Sequence, residues 1–472
     1  MLAAAAICTL WPAAAATAEV SVVVPGVTYE RLDRPGQVIH VTHVVQGPLI
    51  SVRPVLTGGA PTRRATLTAA MGARLGDGAV VGVNGDYFNL DNAYPSGLLI
   101  SESEIVSEPE ATRSALMFPA DGSLVSGQVE LAGKWQAGPD PAVPAPFLER
   151  GFIGVNRPAE RANETIVYTP RYGDVTPTGD RVDALIAMDP PGLPTINQPL
   201  GGTVQTIQPG GGVGIGPGKL VISGAGSAGD GVLTDLVPGR RVTITFGIPG
   251  VPPNTPYAIG GGPALVSGGV ALTNVREGFT SGQIGTRTSR TAVGQAADGS
   301  VLLVTVEGPL QGSRGMTMAE QADLMASLGA QTAVGMDGGG SAMMALRNKL
   351  VTRWPSERAI SNALVVTYSG VQLTQPTAYI TPNGDGIDEA TLTVARSAKA
   401  GSGRIILADR RGRAVRQLYR GPLGPSGYRV NLGAKTLTRD GAYRIVARLT
   451  PDDGSASLFR GAGRKRHVPG RG

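Results

Sequence analysis

The run from Ala333 to Met344 contains the residue types best suited to chemistry in this chain. A short apolar stretch ends at Asp337, and Gly338, Gly339, Gly340 and Ser341 follow it directly. The pattern predicts a buried strand that delivers a carboxylate to its end, with backbone N–H groups that a ligand can approach closely. Asp337 is a candidate general acid, general base or metal ligand. A nucleophilic Ser341 is disfavoured, because the chain has three histidines and the surrounding residues lack the G-x-S-x-G pattern.

A second apolar stretch, residues 79–83, ends in Asn84, Gly85 and Asp86. Asn84 and Asp86 are candidates to hold a sugar hydroxyl, a metal or a proton, and the alternative is a simple Asn-Gly turn. A third glycine-rich run holds Gly261 and Gly262. Its amides would line the same cleft, although taken alone this run is better explained as a turn.

Charged residues supply the other candidates. Arg290 begins an apolar stretch, and its guanidinium is suited to bidentate binding of phosphate. The alternative for Arg290 is an ion pair with a structural carboxylate. Glu357 offers a second carboxylate for acid–base work, or it pairs with the adjacent Arg358.

Short strands and a few helices must position these residues. The 472 residues include 69 Gly and 36 Pro, with only 4% aromatic residues. This composition predicts many turns and two or three domains. Thr317 and Glu320 form a capping-box pattern at the start of a helix over 317–328, and Thr66 is a predicted N-cap for a short helix over 66–75. The longer helix lies between a strand at 301–306 and the strand that carries Asp337. That unit implies a right-handed crossover if the two strands are parallel neighbours.

The chain changes character near residue 370. Regular short strands at 390–394, 404–408, 414–418, 428–432 and 442–449 predict a small β-sandwich. Asn383, Asp385 and Asp388 offer oxygen ligands for Ca²⁺ at short spacing, and the favoured alternative is an Asx-rich turn. Residues 396–472 carry 18 Lys and Arg against four Asp and Glu. This excess positive charge indicates either binding to an anionic surface or a solvated basic face.

The N-terminus has the features of an export signal. An apolar segment ends in Ala16-Thr17-Ala18, which resembles a signal-peptidase site and predicts a signal peptide over 1–18. The only cysteine, Cys8, lies inside this segment, so a processed protein would have no thiol chemistry. No later stretch is apolar enough to predict a transmembrane span. We therefore expect a secreted or envelope-associated protein that does not bind nucleic acid.

Together and in this order, the segments around Asn84, Gly261, Arg290, Asp337 and Glu357 resemble the phosphodiester glycosidase family. The resemblance implies hydrolysis of the bond between a sugar anomeric carbon and a phosphodiester, in an α+β, β-rich catalytic domain with mixed sheets and few helices. The predicted phosphate-binding residues are Arg290 and the amides of Gly338, Gly339 and Gly340. Asp337 or Glu357 would activate water or attack the anomeric carbon, and Asp86 is a third candidate catalytic residue. Asn84 and Asp86 would hold the sugar, and the further candidate substrate-binding residues are Gly261, Gly262, Ser341 and Arg358.

The C-terminal strands resemble immunoglobulin-like modules related to the flagellar hook-capping domain. The predicted organisation is a signal peptide over 1–18, a catalytic domain over 19–370, an immunoglobulin-like β-sandwich over 371–458 and a basic disordered tail over 459–472. The predicted function is hydrolysis of a sugar-1-phosphodiester in envelope or extracellular glycans. A non-catalytic protein that binds envelope glycan or anionic wall polymer is the rival hypothesis, and a metal-dependent phosphodiesterase is a weaker third.

Overall fold

The fold is built mainly from β-strands, as the composition predicts. The computed structural model describes residues 17–138, 148–159, 161–192, 194–374, 379–380, 390–433, 441–451 and 457–465. Within these ranges four α-helices occur, α1 to α4, which span Leu67–Ala73, Ser227–Asp235, Ser281–Gly285 and Met318–Ser327. Two single turns of 3₁₀ helix occupy Pro309–Gln311 and Gly339–Ser341.

The strands of the described residues are numbered β1 to β34 in chain order. They span Thr17–Val24, Val27–Arg34, Gln37–Val44, Ile50–Leu56, Ala79–Asn84, Leu99–Ser101, Glu104–Ser107, Ser114–Phe118, Val125–Gln128, Ala132–Ala137, Leu148–Phe152, Gly154–Val155, Thr165–Tyr168, Thr178–Met188, Pro199–Gly211, Lys219–Ala225, Arg241–Gly247, Tyr257–Gly260, Ala264–Ser267, Val270–Ala271, Arg290–Ala296, Val301–Val306, Ala330–Gly335, Met344–Leu346, Lys349–Leu350, Asn362–Tyr368, Val371–Thr374, Tyr379–Ile380, Ala390–Ser397, Gly401–Asp409, Ala414–Leu423, Tyr428–Gly433, Gly441–Pro451 and Ser457–Lys465.

The strand that precedes Asp337 lies inside an eight-stranded antiparallel sheet with the order β1-β2-β3-β22-β21-β23-β19-β20. Helix α4 packs on this sheet through Ala322, Leu324 and Met325, which are almost fully buried. Thr317 caps α4, and the reciprocal capping box with Glu320 is present as predicted. Strands β22 and β23 are parallel but not neighbours, because β21 lies between them and is antiparallel to both.

Two five-stranded sheets bring further polar residues to the same region. One has the order β25-β24-β5-β26-β4 and ends β5 at Asn84. The other has the order β7-β6-β18-β8-β9 and ends β18 at Gly260. Their apolar faces share one core with the eight-stranded sheet, in which Val83, Ile259 and Val334 are completely buried. This common core fixes the three sheets relative to one another.

A second eight-stranded sheet has the order β11-β10-β17-β15-β14-β16-β13-β12. It encloses a separate core that includes Trp135, Phe152 and Phe246. The same core takes in Leu98 and Ile100 from β6 and its preceding loop, so this sheet packs against the back of the β6–β18 sheet. It contributes none of the carboxylates discussed below.

The C-terminal strands form two further sheets, one with the order β27-β29-β32 and one with the order β28-β34-β33-β30-β31. Every strand predicted beyond residue 390 is present, although the observed strands are longer. The last strand, Ser457–Lys465, pairs with Gly441–Pro451, so residues 459–465, which the predicted tail includes, belong to a strand. The immunoglobulin-like classification and the domain limits stay predictions.

Several predictions fall on residues outside the described ranges. These are most of the signal peptide and the candidate calcium ligands Asn383, Asp385 and Asp388. Among the residues that the structure describes, no group of three or more His, Cys, Asp or Glu side chains is arranged to hold a metal ion. None of the helices in those residues is both long and apolar enough to span a bilayer.

Candidate active site

The candidate site lies where strand ends from three sheets meet. The backbone N–H of Asp337 donates to the carbonyl of Gly85 at 3.0 Å, which joins the end of β23 to the end of β5. The N–H of Gly262 donates to the carbonyl of Gly335 at 2.9 Å, which joins the loop after β18 to the same strand. The structure therefore brings three of the predicted segments together, although they are far apart in sequence.

Asp337 is a half-buried carboxylate at this junction. Burial raises the pKa of Asp337 to about 6, while the Ser341 hydroxyl, the Arg358 guanidinium and the Gly338 N–H act in the opposite direction. The buried Ser341 Oγ makes no hydrogen bond of normal geometry to any described residue, yet it is close enough to Asp337 to favour the ionised carboxylate. A carboxyl group with this pKa exchanges its proton near neutral pH, as acid–base chemistry requires.

Asp86 is a second carboxylate and is only 3% exposed. Its Oδ1 accepts a hydrogen bond from the N–H of Tyr87 at 2.7 Å, whereas Oδ2 is buried and has no partner of normal geometry in the part of the chain that the structure describes. Burial raises the pKa of Asp86 to about 8; Arg113 lowers that pKa and the charge of Asp337 raises it further. The two carboxylates therefore interact, and at neutral pH Asp86 holds a proton more readily than Asp337 does.

Oδ2 of Asp86 faces the backbone of two glycines. A Cβ atom at Gly260 would lie 2.5 Å from Oδ2, and one at Gly97 would lie 2.8 Å from it. Both positions therefore require glycine for the carboxylate to occupy its place. This enclosure is the physical origin of the raised pKa of Asp86.

Asn84 is completely engaged by the protein. Its Nδ2 donates to the carbonyl of Asp337 at 2.7 Å, and its Oδ1 accepts hydrogen bonds from Thr291 Oγ1 at 2.6 Å and from the N–H of Met343 at 3.0 Å. The side chain is 1% exposed. These contacts favour a role for Asn84 in fixing Asp337, whereas its predicted contact with a sugar stays a prediction.

Arg290 is a buried cation whose contacts are all with carbonyl oxygens. Its Nε donates to Met316, and its Nη2 donates to Gln283 and Thr286, at 2.8–3.0 Å. Within the described ranges, no carboxylate forms an ion pair with it. Its Nη1 lies 3.6 Å from the place that a Cβ of Gly338 would occupy. The predicted structural ion pair is thus absent from the described residues, and Arg290 presents uncompensated positive charge beside the glycine turn.

The glycine turn uses much of its own hydrogen-bonding capacity. The N–H of Gly339 donates to the carbonyl of Ser289 at 2.9 Å, and Gly338 supports the Asp337 carboxylate. Gly340 lies against Arg358, because a Cβ there would be 2.5 Å from the guanidinium. The exposed Arg358 guanidinium therefore covers the turn. Because the N–H groups of Gly338 and Gly339 already have acceptors, the predicted binding of phosphate by the three amides rests mainly on Gly340.

Gly261 and Gly262 shape the opposite wall. A Cβ at Gly261 would lie 2.5 Å from the carbonyl oxygen of Gly335, and Gly262 has a φ of 110°, which favours glycine. The carbonyl of Gly262 accepts a hydrogen bond from the Tyr87 hydroxyl at 3.2 Å. These two glycines allow the backbone of β18 to approach β23 closely.

Glu357 makes its hydrogen bonds away from Asp337. Its Oε1 accepts from the N–H of Thr68 at 2.7 Å, and its Oε2 accepts from the Thr68 hydroxyl at 2.5 Å, at the first turn of α1. A carboxylate at that place satisfies free N–H groups of the helix. The contacts of Glu357 therefore support a structural role, and its predicted catalytic role has no contact with the Asp86–Asp337 pair to support it.

Arg113 is a site residue that the sequence analysis does not select. Its guanidinium lies 5.1 Å from the ring centre of Tyr87 and 4.9 Å from that of Phe279, and it lowers the pKa of both Asp86 and Asp337. Residues 107–115, which contain Arg113, fit the family resemblance as a run, but the sequence does not distinguish Arg113 within that run. A cation brought to the carboxylates from another sheet leaves no local signal in the sequence.

Other cavities lie away from this pair of carboxylates. One of about 250 Å³ is lined by residues that include Arg53, Arg74 and Tyr257. Another of about 310 Å³ is mainly apolar and is lined by residues that include Pro170 and Leu200. Neither is lined by Asp86 or Asp337, so the choice of site rests on the paired carboxylates and not on cavity size.

Comparison with protein families gives a match to the model described as phosphodiester glycosidase, over residues 195–367. The predicted family resemblance is confirmed for this segment. The matched phosphodiester glycosidase segment contains Gly261, Arg290, Asp337 and Glu357, whereas Asn84, Asp86 and Arg113 lie before it. The match supports a glycosidase-like function.

Similar proteins support the fold over a larger part of the chain. A hypothetical protein from Synechocystis has 23% identity and a TM-score of 0.61, over 75% of this chain and 64% of that chain. A protein from Burkholderia pseudomallei K96243 has 20% identity and a TM-score of 0.53, over 71% of this chain and 74% of that chain. The prophage-derived protein YomE from Bacillus subtilis (strain 168) is 35% identical over 81 residues. That stretch is 17% of this chain and 13% of YomE, so it represents a small part of either protein.

Proposed function

We propose that this protein hydrolyses the glycosidic bond of a sugar-1-phosphodiester. The observation that carries the proposal is the pair of interacting carboxylates, Asp86 and Asp337, at a junction that also holds Arg290 and Arg358. Paired carboxyl groups with different pKa values are typical of glycoside hydrolysis. Nearby guanidinium groups suit a substrate whose leaving group is a phosphate ester.

In the proposed reaction, Asp337 acts while it is ionised. Water attacks the anomeric carbon as one of its protons passes to the Asp337 carboxylate, or Asp337 itself attacks that carbon and water later releases the sugar. In either case the bond between the anomeric carbon and the phosphate oxygen breaks, and the phosphate monoester leaves with the bonding electron pair. A phosphate ester is a good leaving group, so positioning and stabilisation of its charge matter more than protonation by an acid.

Asp86 has a different role in this scheme. Its carboxyl group is enclosed by Gly97 and Gly260 and has a pKa of about 8. At neutral pH it therefore adds little negative charge beside the anionic substrate. We assign Asp86 to positioning and to control of the charge at the site, while Asp337 contacts the reacting atoms.

Export to the cell envelope is part of the proposal and is supported by the sequence of residues 1–18. The candidate substrates are then sugar phosphodiesters of envelope or extracellular glycans, including anionic wall polymers.

The proposal is tested with the purified full chain and a panel of aryl sugar-1-phosphodiesters. Asp337→Asn removes the ionisable group with little change of shape, and we expect kcat to fall about 10²- to 10⁴-fold. Asp323→Asn on α4 is the matched control, because Asp323 is exposed, and its activity should equal that of the wild type. Full activity of Asp337→Asn would refute the role of Asp337. Absence of cleavage with retained binding of wall polymer would instead favour the rival binding function.

A further inference from the structure

Arg113 has an arrangement that a purely structural arginine does not need. The side chain is half-buried, and its Nη1 is fully shielded from solvent without a hydrogen-bond partner among the described residues. None of the ion pairs found in the described part of the chain includes Arg113. A shielded guanidinium N–H with no acceptor is unfavourable unless a ligand supplies one.

Two aromatic rings hold the guanidinium in place. The rings of Tyr87 and Phe279 lie 5.1 Å apart, and the guanidinium lies within 5.1 Å of both ring centres. Such contacts with aromatic faces restrict the guanidinium plane and leave its N–H edge directed elsewhere. The orientation of Arg113 is therefore set before any ligand binds.

The backbone beside Arg113 is also fixed. Glu277 accepts hydrogen bonds from the N–H of Ser114 at 2.7 Å, from the Ser114 hydroxyl at 2.8 Å and from the N–H of Ala264 at 3.0 Å. This one carboxylate joins the start of β8 to the start of β19. Glu277 thus acts as a positioning residue that holds Arg113 against the glycine wall of the site.

A narrow crevice without room for a water molecule adjoins Arg113, and it is lined also by Gly97, Glu110, Gly260 and Gly261. Oδ2 of Asp86 packs against two of these glycines. Arg113 and Arg358, which covers the turn at Gly340, both lower the pKa of Asp337, so both guanidinium groups lie near that carboxylate. An anionic group at this junction would meet guanidinium groups from three separate elements.

We propose that Arg113 binds the phosphoryl oxygens of the substrate through its guanidinium edge. This inference deepens the proposed function and rests on it for the identity of the full substrate. A guanidinium offers parallel N–H donors that match two phosphoryl oxygens, whereas an ammonium group provides only a point charge. Arg113 is then a substrate-binding residue, with its orientation supplied by Tyr87 and Phe279.

The test uses the full chain with inorganic phosphate and dimethyl phosphate as probes, and a neutral methyl glycoside as the comparison ligand. Binding is measured by isothermal titration calorimetry. In Arg113→Gln we expect the affinity for both phosphates to fall about tenfold or more, with the affinity for the glycoside unchanged. The phosphate affinity of Arg113→Lys should lie between that of the wild type and that of Arg113→Gln. Arg276→Gln is the matched control, because the exposed Arg276 side chain donates, among the described residues, only to Ser281 Oγ at 3.3 Å. This variant should bind the probes as the wild type does.

Near-UV circular dichroism establishes that each variant is folded, and Arg113→Lys serves as the test if Arg113→Gln is not. The inference is overturned if a folded Arg113→Gln variant binds phosphate as tightly as the wild type. It is also overturned if the wild type binds neither phosphate, or if only glycoside binding is lost. A wild-type protein that cleaves no phosphodiester but binds phosphate in an Arg113-dependent way would refute the proposed function and leave this inference intact.

Discussion

Replacing Asp86 by Asn is expected to change how the stability of the protein depends on pH. The carboxyl group has a pKa of about 8 in the folded protein against 3.8 in an exposed setting. Between these values the folded state binds one more proton than the unfolded state does. Stability therefore falls as pH rises across this range, because unfolding releases that proton.

The size of the effect follows from the pKa difference. For each pH unit over which the folded state holds the extra proton, the unfolding free energy changes by about 1.4 kcal/mol. From pH 5 to pH 9 the wild type should lose about 4 kcal/mol of unfolding free energy through Asp86 alone. The smaller rise in the pKa of Asp337, to about 6, adds about 1 kcal/mol in the same direction. The Asp86→Asn variant keeps only this second contribution.

The assay is urea-induced unfolding at pH 5, 7 and 9, followed by tryptophan fluorescence. Trp354 is a suitable reporter, because its indole N–H donates to the carbonyl of Ala342 at 2.9 Å, close to the glycine turn. The quantity of interest is the change, between pH 5 and pH 9, in the difference in unfolding free energy between variant and wild type. Any pH-independent cost of the buried amide cancels from that change. Parallel stability curves for the two proteins would refute the assignment of a buried proton to Asp86.

Two further predictions concern the pH dependence of hydrolysis and the packing of two glycines at the site. The kcat/KM for phosphodiester hydrolysis should rise through an apparent pKa near 6 as Asp337 ionises, and it should fall above pH 8 as Asp86 ionises. The Asp86→Asn variant should lose the fall at alkaline pH. A fall that persists in this variant would contradict the scheme. In thermal unfolding, Gly261→Ala should destabilise the protein by about 1–3 kcal/mol, because the new Cβ collides with a backbone carbonyl oxygen. The Cβ of Gly340→Ala meets the movable end of the exposed Arg358 side chain, so this variant should change stability by less than about 0.5 kcal/mol. Equal losses of stability in the two variants would refute this difference.

Much of the site was predictable because its residues follow apolar strands directly. The apolar stretches before Asn84 and Asp337 are strands that end as expected, and Arg290 does begin β21. Polar residues and glycines that follow buried strands carry a strong local signal. The capping box at Thr317 was predictable for the same reason, since all its partners lie within four residues.

Pairing between distant residues could not be predicted in the same way. Arg113 becomes part of the site only because β8 belongs to the same sheet as β18, and Glu357 faces Thr68 because of how its loop crosses α1. The interposed β21 likewise separates two strands that are consecutive in the strand–helix–strand pattern. Such relations depend on sheet order and tertiary packing, which the local sequence does not specify.

The side chain of Asn84, whose oxygen and nitrogen both form hydrogen bonds within the protein, has a consequence for engineering. Since Asn84 ties Asp337 to Thr291 and Met343, which belong to or adjoin other strands, the placement of Asp337 depends on strand register as well as on the conformation of its loop. Transferring the Asp-Gly-Gly-Gly-Ser loop to another scaffold should therefore fail to reproduce the site. Altered substrate preference should be sought at rim residues such as Arg358, which can change without disturbing that register.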